Sequence, residues 1–383
     1  MNGNDQNTHR PNTRRTSLAQ AAVAGVGVAA LGMAGSAQAH GETLPNTRWK
    51  LDTRPKLIES IVSCIAANYI FPDVARRLEQ SLHLQLASGV YDSIADPQVL
   101  AQMLTSHLRQ ESKDRHFFVG YSEEALPPDT QGNEQKEQQE ANYLNSLENF
   151  GFEAVTRLGG NIGWLDFRGF AEPHASAKTL AAAMTFLSNT NALIIDVRKN
   201  RGGDQGMVEL FCSYFFEKET LLGNFYYSNT GITQPSWTRS AVAGTRYSGK
   251  DVYVLTSAGT FSAAEALAYA LQSRRVAVVV GEASGGAANP VKYVRLNQHF
   301  SLLVPEGKIT DAVTKTNWEG VGVKPDIAAP ADQALTVAHL LALRKNLERK
   351  TRSELSETEL HQWIATLEKA SKTLEKASKT SGK

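Results

Sequence analysis

The chain has 383 residues, of which 42% are hydrophobic and 21% are charged, the composition of an ordinary globular protein. This length accommodates one large α/β domain and a smaller one. The formal net charge is only +1, and the aromatic residues are not interleaved with basic ones, so nucleic acid is not expected as a partner.

The first forty residues have the features of an export signal. Arg14 and Arg15 form a twin arginine, and a weakly hydrophobic Ala/Gly/Val run follows at residues 19–35. That run is too short and too rich in glycine to span a membrane as a helix. Ala37-Gln38-Ala39 supplies the small-x-small pattern that a signal peptidase reads, which predicts cleavage before His40.

We therefore expect a twin-arginine signal peptide at residues 1–39 and a mature chain without a membrane span. The twin-arginine route exports folded proteins, so the expected location is the periplasm of a bacterium or the medium outside it. An ordinary Sec signal with a chance arginine pair is the alternative.

The mature chain begins with a helical pattern. Apolar residues recur at helical spacing in the segments 57–69, 74–86 and 97–108, so residues 45–122 are predicted to form a small helical N-terminal subdomain. Residues 123–150 are polar and rich in Gln and Glu, and they are predicted to be an exposed linker.

Buried strands and amphipathic helices alternate over residues 151–347, and this rhythm predicts a core built on a mostly parallel sheet with right-handed crossovers. Two further short strands are predicted within this range, at 293–296 and 301–304, before its last helix. The alternating elements are strands at 160–167, 192–197, 252–255 and 276–280, with helices at 175–187, 207–216, 262–273 and 335–347.

Residues 348–383 are predicted to form a charged helical tail. The heptapeptide TLEKASK occurs there twice in succession, which places Leu367 and Leu374 on one side of a helix. Two heptads are compatible with a solvated extension and with a short coiled-coil contact.

The two cysteines, Cys64 and Cys212, each lie in an apolar helical pattern. A disulfide and two separate core thiols are both compatible with this placement. The sequence has no CxxC or HExxH motif, and its nine histidines do not cluster, so no metal site is predicted.

Ser262 stands at the mouth of a predicted βαβ unit. The strand at 252–255 leads through a turn of small residues to a helix that begins at Ser262. Backbone N–H groups and the positive end of the helix surround such a position, which favours acyl transfer through a serine nucleophile. Ser262 and Glu265 also have the S-x-x-E spacing of a capping box, which requires no chemistry.

A serine nucleophile needs a base, an orienting group and donors for the oxyanion. His116 precedes a predicted strand, where it could project into a cleft between the helical subdomain and the sheet, although a lone histidine is usually incidental. Glu319 lies in a glycine-punctuated loop and could orient the imidazole or be a solvated turn residue. Gly202 and Gly203 follow a buried strand and offer bare N–H groups, or simply a tight turn.

Four segments, in order, resemble the tail-specific, C-terminal-processing serine peptidases. DVRKNRGGD at 196–204 is similar to their D-x-R-x-N-x-G-G signature, and TFSAAEALAYAL at 260–271 to their nucleophile segment. VVVGEASGG at 278–286 resembles the strand and loop that follow. WEGVGVKPD at 318–326 resembles the closing motif of the branch that contains the tricorn protease core and interphotoreceptor retinoid-binding protein.

The resemblance implies roles for individual residues. Ser262 matches the nucleophile, and the amides of Ala263, Gly202 and Gly203 match the oxyanion hole. The tricorn-like branch takes its base from an early D-x-H segment and its acid from a late glutamate, which match His116 and Glu319.

Two departures from the family pattern bear on the mechanism. The processing branch uses a lysine in the loop at 283–287, which here contains none, and Lys292 further on is a poor substitute. The tricorn-like branch can carry a serine before its histidine, where this chain has Arg115. A Ser-His-Glu arrangement without the fourth member is therefore expected.

The resemblance implies an α/β fold with a Clp-protease/crotonase-like core and a small helical N-terminal subdomain. It implies a serine peptidase that acts on a peptide or protein substrate through an acyl-enzyme, without a cofactor. A non-catalytic binding module for a hydrophobic small molecule, like the retinoid-binding relatives, is the main alternative. An acyl-CoA enzyme of crotonase type fits less well, because an exported protein meets little CoA.

Overall fold

A computed structural model of the chain describes residues 53–128, 133–348 and 357–381. The predicted signal segment at 1–39 lies outside the described residues. In the part of the chain that is described, no helix has the length and apolar character needed to cross a membrane.

The described residues form helices and strands with the following bounds. The helices are α1 (Thr53–Asn68), α2 (Pro72–Ala87), α3 (Pro97–Ser112), α4 (Asn133–Leu147), α5 (Pro173–Leu187), α6 (Gln205–Cys212), α7 (Ala263–Ser273), α8 (Ala334–Glu348) and α9 (Glu357–Ser381). The strands are β1 (Phe118–Tyr121), β2 (Phe152–Leu158), β3 (Ile162–Phe167), β4 (Ala192–Asp196), β5 (Leu221–Tyr227), β6 (Ile232–Trp237), β7 (Asp251–Thr256), β8 (Ala277–Gly281), β9 (Val291–Arg295), β10 (Phe300–Pro305), β11 (Gly307–Asp311) and β12 (Ile327–Ala328).

The central sheet has the strand order β12-β8-β7-β4-β3-β2. Its neighbours from β12 to β3 run parallel, and only β2 pairs antiparallel with β3. Strand β4 is buried along its whole length because helices cover both faces of the sheet. Leu193 and Ile195 pack on the side of α5, α6 and α7, whereas Ile194 packs on the side of α8. The predicted mixed α/β architecture with a mostly parallel sheet is confirmed.

A second hydrophobic core lies in the helical subdomain. Helices α1, α2 and α3 pack there against the antiparallel sheet β1-β10-β9. The β9–β10 hairpin comes from late in the chain, and it delivers Phe300, Leu302 and Val304 into this core. The strands predicted at 293–296 and 301–304 therefore exist, but they complete the helical subdomain instead of extending the central sheet.

The segment predicted as a polar linker at 123–150 contains helix α4. The prediction missed this helix because its sequence is strongly polar and its apolar residues Tyr143 and Leu147 are exposed, so no apolar stripe marks it. A third sheet, with the order β11-β5-β6, was also not predicted. Cys64 and Cys212 are buried free thiols and form no disulfide.

The predicted helical tail is α9, which packs along α8. Leu360 is buried against the core residues beneath α8, and Arg344 forms an ion pair with Glu368 at 2.7 Å. The indole of Trp363 covers Gly159, where a Cβ atom would lie 2.4 Å from the ring. The tail is thus anchored through its first turns.

Candidate active site

Ser262 occupies a strained turn between β7 and α7, at residues 257–262, which we name the nucleophile turn after the role predicted for Ser262. It is the N-cap residue of α7, with φ 54° and ψ −121°. An ordinary N-cap serine has extended backbone angles, and a non-glycine residue in this region costs about 1–3 kcal/mol. The capping box of Ser262 and Glu265 that the sequence offered is present, but a cap requires no strained backbone, so it does not by itself account for a serine at this position.

A buried carboxylate holds the main chain of this turn. Glu265 is fully buried, and its Oε2 accepts hydrogen bonds from the backbone N–H of Ser262 at 2.8 Å and of Ala287 at 2.9 Å. Its Oε1 accepts from the Ser284 hydroxyl and from the Gly286 N–H, both at 2.6 Å. Glu265 therefore fixes the nucleophile turn against the loop that follows β8.

The signature at 196–204 forms the opposite wall of the turn. The buried Asn200 side chain donates to the Phe167 carbonyl at 2.9 Å, and its Oδ1 accepts from Gly202 N–H at 2.8 Å. The carbonyl of Asn200 accepts from the N–H of Phe261 at 3.0 Å. Asn200 thus binds the glycine turn and the residue before the nucleophile at the same time.

Gly202 lies directly against the nucleophile. A Cβ atom at this residue would be 2.7 Å from Ser262 Cβ and 2.9 Å from Ala263 N, and its φ of 103° also favours glycine. The amide of Gly202, predicted as an oxyanion donor, is already engaged by Asn200. Within the described part of the chain, the N–H groups of Gly203 and Ala263 have no acceptor, so these two remain as candidate donors.

His116 comes from the helical subdomain, two residues before β1. Its side chain is buried and packs edge-on against the ring of Phe261, with ring centroids 5.0 Å apart. Both ring nitrogens are buried without a hydrogen-bond partner among the described residues. The imidazole is therefore beside the nucleophile turn but is not hydrogen-bonded to Ser262.

Glu319 lies in the loop before β12 and is half-buried. Its Oε2 accepts from the backbone N–H groups of Ala288 at 2.6 Å and Asn289 at 3.1 Å, while Oε1 is buried without a partner in the described residues. Ligand-type atoms of Glu319, His116 and Asp114 all lie within 4.8 Å of one another. Glu319 therefore lies near the imidazole, and so does a second carboxyl group, that of Asp114.

Burial dominates the electrostatics of these groups. It lowers the pKa of His116 to about 3, and the positive charges of Arg109 and Arg115 act in the same direction. Burial, followed by repulsion from the Asp114 carboxylate, raises the pKa of Glu319 to about 8. The imidazole is thus neutral at physiological pH, with a pKa below the range near the operating pH that suits a general base best.

Asp114, His116 and Glu319 also have the spacing at which a metal ion could be held. Asp114 accepts from the His116 main chain and from Asn289, and Glu319 accepts from two backbone amides. Both oxygens of Asp114 and Oε2 of Glu319 are therefore already engaged by donors of the protein.

Arg115 links the helical subdomain to the α/β core. Its guanidinium donates to the Gly285 carbonyl at 2.6 Å and lies 5.8 Å from the centroid of the Phe261 ring. The Gly285 N–H in turn donates to the Thr260 carbonyl at 2.8 Å. Arg115 therefore sets the position of the D-x-H segment, residues 114–116, against the nucleophile turn. It does not take the place of the serine hydroxyl that the tricorn-like branch can carry before its histidine.

Lys292 is exposed on β9, where its ammonium donates to the Asn68 side chain at 3.2 Å. It has no described contact with Ser262. This placement agrees with the prediction that Lys292 is a poor substitute for a catalytic lysine.

Family models match two parts of the chain. The model of peptidase family S41 matches residues 161–329, and the model of that family's N-terminal domain in the eukaryotic retinoid-binding protein IRBP matches residues 46–151. Together these matches cover more than half of the chain. The chain belongs to peptidase family S41.

Family S41 consists of serine-type peptidases, and the chain is a member of this hydrolase class. The match of residues 46–151 also agrees with the predicted resemblance to the branch that contains the retinoid-binding protein.

Solved structures show the same fold at low sequence identity. A structure described as a peptidase from Parabacteroides merdae is 21% identical, with a TM-score of 0.52 over 76% of this chain and 96% of that chain. A lipoprotein from Streptococcus agalactiae has the same TM-score and coverage at 13% identity. An S41 protease from Bacteroides fragilis is 21% identical with a TM-score of 0.43, over 49% of this chain and 52% of that one, so the match spans about half of that protein.

Sequence reasoning missed three residues of the site. Glu265 was considered only as a capping partner, although it binds the loop after β8 as well. Asp114 was considered only as part of a motif. Asn289 carries no motif at all, and no sequence signal indicates that it contacts two carboxylates through different atoms.

Proposed function

We propose that this protein is an exported serine peptidase that cleaves peptide bonds through an acyl-enzyme on Ser262. The observation that carries the proposal is the backbone of Ser262, with its φ of 54° and ψ of −121°. Strain of this kind persists only where the surroundings enforce it, and it is concentrated at active sites. Here Glu265 and Asn200 enforce it from two sides.

In the proposed reaction, His116 takes the proton of the Ser262 hydroxyl while Oγ attacks the carbonyl carbon of the scissile bond. The N–H groups of Gly203 and Ala263 receive the negative charge that develops on the carbonyl oxygen. The imidazolium then gives its proton to the leaving amine, and the C–N bond breaks to form the acyl-enzyme. Water, deprotonated by His116, attacks the ester and regenerates Ser262.

Glu319 is proposed to be the group that orients the imidazole. Its Oε2 is fixed by two backbone amides, which leaves Oε1 available to face the ring. The role fits a preorganised site, because the carboxyl group is already held in place before the imidazolium forms.

A peptide or protein substrate is proposed from the peptidase family to which the chain belongs. A narrow crevice lined by Val208, Ala266 and Trp318, among others, has a volume of about 10 Å³, which is room for about one water molecule. It therefore does not define a pocket for a substrate side chain.

Labelling by a fluorophosphonate probe tests the proposal. The chain without residues 1–39 should be labelled and should hydrolyse members of a peptide library, and the Ser262→Ala variant should do neither while it keeps the wild-type melting temperature. If the alanine variant is labelled equally well, the nucleophile is assigned wrongly. If the wild type is inert but binds an apolar small molecule, the protein is a binding module.

Export is supported by the Arg14-Arg15 pair, the weakly apolar run and the Ala37-Gln38-Ala39 pattern. Replacement of both arginines by lysines should stop the folded precursor from reaching the periplasm. Unchanged accumulation of the double-lysine variant would instead indicate a Sec signal.

A further inference from the structure

The D-x-H segment contributes a second carboxylate to the site. Asp114 is buried, and its Oδ1 accepts a hydrogen bond of 3.0 Å from the backbone N–H of His116. The same oxygen lies 3.8 Å from Nδ1 of the imidazole. Asp114 therefore fixes the main chain of the histidine and places a carboxylate next to one of its ring nitrogens.

Asn289 connects this carboxylate with Glu319. Its side-chain amide donates to Asp114 Oδ2 at 2.9 Å, and its backbone N–H donates to Glu319 Oε2 at 3.1 Å. Asn289 is buried, and its own Oδ1 has no partner among the described residues. One residue of the α/β core thus holds two acids, one from each subdomain, around the same imidazole.

We propose that Asp114 is a positioning residue for His116, that it shares the orienting role with Glu319, and that Asn289 joins the two acids. The inference rests on the proposed role of His116 as the base. It goes beyond the Ser-His-Glu arrangement because it assigns two carboxylates to one imidazole and gives Asn289 a role in the site.

The physical reason is the repulsion between two buried carboxylates. Two such groups at this distance do not both remain ionised, so a proton is shared between them and the pair carries one negative charge. Either acid can hold that charge and the other can hold the proton. When one of the two acids is replaced by an amide, the imidazole keeps one anionic neighbour but loses the second group that fixes its ring, so only part of the orienting effect remains.

The surroundings of Asp114 agree with this sharing. Burial raises the pKa of Asp114, whereas the positive charge of Arg109 and a hydrogen bond from Tyr69 favour its charged form. Asp114 thus has neutral donors and a cation to stabilise the shared negative charge. These groups all belong to the helical subdomain, whereas Glu319 and Asn289 belong to the core.

The variant Asp114→Asn removes the charge but keeps the shape. Its amide would face the Asn289 amide, and rotation of Asn289 by half a turn would present the unpartnered Oδ1 of Asn289 as an acceptor. The swap Asp114→Asn with Asn289→Asp keeps the same hydrogen-bonded pair with the charge moved to residue 289. Asp73→Asn, at an exposed position in the same subdomain, is the control for loss of one negative charge.

The first measurement is kinetic. We expect Asp114→Asn and Glu319→Gln each to lower kcat/KM by about 10²-fold with little change in KM, and the double variant to approach the ~10⁴-fold loss seen when a lone orienting carboxylate becomes an amide. The swap should not restore kcat, and Asp73→Asn should equal wild type. Full activity of Asp114→Asn would overturn the proposal, as would recovery of kcat in the swap, which would indicate a purely structural pair.

The second measurement does not depend on turnover. In protein labelled with ¹⁵N-histidine, with His116 assigned through His116→Gln, nitrogen shifts report which ring nitrogen carries the proton. We expect the Nδ1–H tautomer in wild type, a mixture in each single variant and the Nε2–H tautomer in the double variant. An unchanged tautomer in the double variant contradicts the proposal even in a protein that proves to be inactive, whereas inactivity with the expected tautomer change contradicts only the peptidase assignment.

Discussion

The backbone N–H of Ser262 donates a 2.8 Å hydrogen bond to the carboxylate of Glu265, three residues further along the chain. Because that carboxylate is fully buried and also binds Ser284, Gly286 and Ala287, the position of the nucleophile depends on the loop after β8. The same loop continues into Ala288 and Asn289, which hold Glu319. The nucleophile and the proposed orienting acid are therefore fixed by one continuous network.

Removal of Glu265 should unfold the site. Glu265→Ala leaves four buried donors without an acceptor, and we expect a loss of about 3–5 kcal/mol in the free energy of unfolding, as when one partner of a buried charged network is deleted. Chemical denaturation measures this loss. Glu265→Gln keeps the side-chain volume and should lose less stability. Equal stability of the alanine variant and the wild type would contradict the network.

The strain at Ser262 predicts a trade between stability and activity. Ser262→Gly removes the hydroxyl but accepts φ 54° without strain, so we expect it to be more stable than wild type by about 1 kcal/mol and inactive. Ser262→Ala should be equally inactive without that gain. Thermal melting of the three proteins under one condition makes the comparison; a glycine variant no more stable than the alanine variant would mean that the backbone is not strained.

Gly202 should tolerate no side chain. In Gly202→Ala the new Cβ meets Ser262 Cβ at 2.7 Å and Ala263 N at 2.9 Å, so the nucleophile turn must shift. We expect kcat to fall at least 10²-fold, because the shift displaces the Ala263 N–H and removal of one oxyanion donor has an effect of this size. About 1–3 kcal/mol of stability should also be lost.

Gly231→Ala is the matched control, because Gly231 also has a positive φ, of 68°, but nothing lies within 4 Å of the position that its new Cβ atom would take. Gly231→Ala should lose a similar amount of stability through the strain of a non-glycine residue at a positive φ, and it should keep full activity. A loss of kcat in this control equal to that of Gly202→Ala would show that the effect is not local to the active site.

The pH dependence of stability should reveal Glu319. Its pKa is raised from 4.5 to about 8 on folding, so the folded state binds the proton more tightly and stability falls as the pH rises from 4.5 through 8. His116 acts in the opposite direction. Its pKa is lowered from 6.5 to about 3, so stability falls as the pH drops below 6.5.

Melting temperatures measured from pH 5 to pH 9 test this assignment. Glu319→Gln should flatten the alkaline decline and leave the acid decline unchanged, while the exposed control Glu111→Gln should keep the wild-type profile. If Glu319→Gln melts with the wild-type profile at every pH, the carboxylate is not held protonated by its surroundings.

The sequence by itself determined the parallel order of the central sheet and the segments that meet at its edge. The apolar runs at β4, β7 and β8 are continuous and β-branched, which is typical of strands covered on both faces, and each is followed by the small residues of a turn. Ser262, Gly202 and Gly203 stand in those turns, so their positions followed from local pattern and from the family motifs.

Only the tertiary structure decided how His116, Asp114, Asn289 and Glu319 are grouped. These residues come from segments far apart in the chain. The β9–β10 hairpin packs in the helical subdomain, although its sequence is equally compatible with strands of the central sheet. Which carboxylate faces the imidazole depends on side-chain burial and on the direction of single hydrogen bonds. These quantities are set by long-range packing, and neither periodicity nor spacing along the chain encodes them.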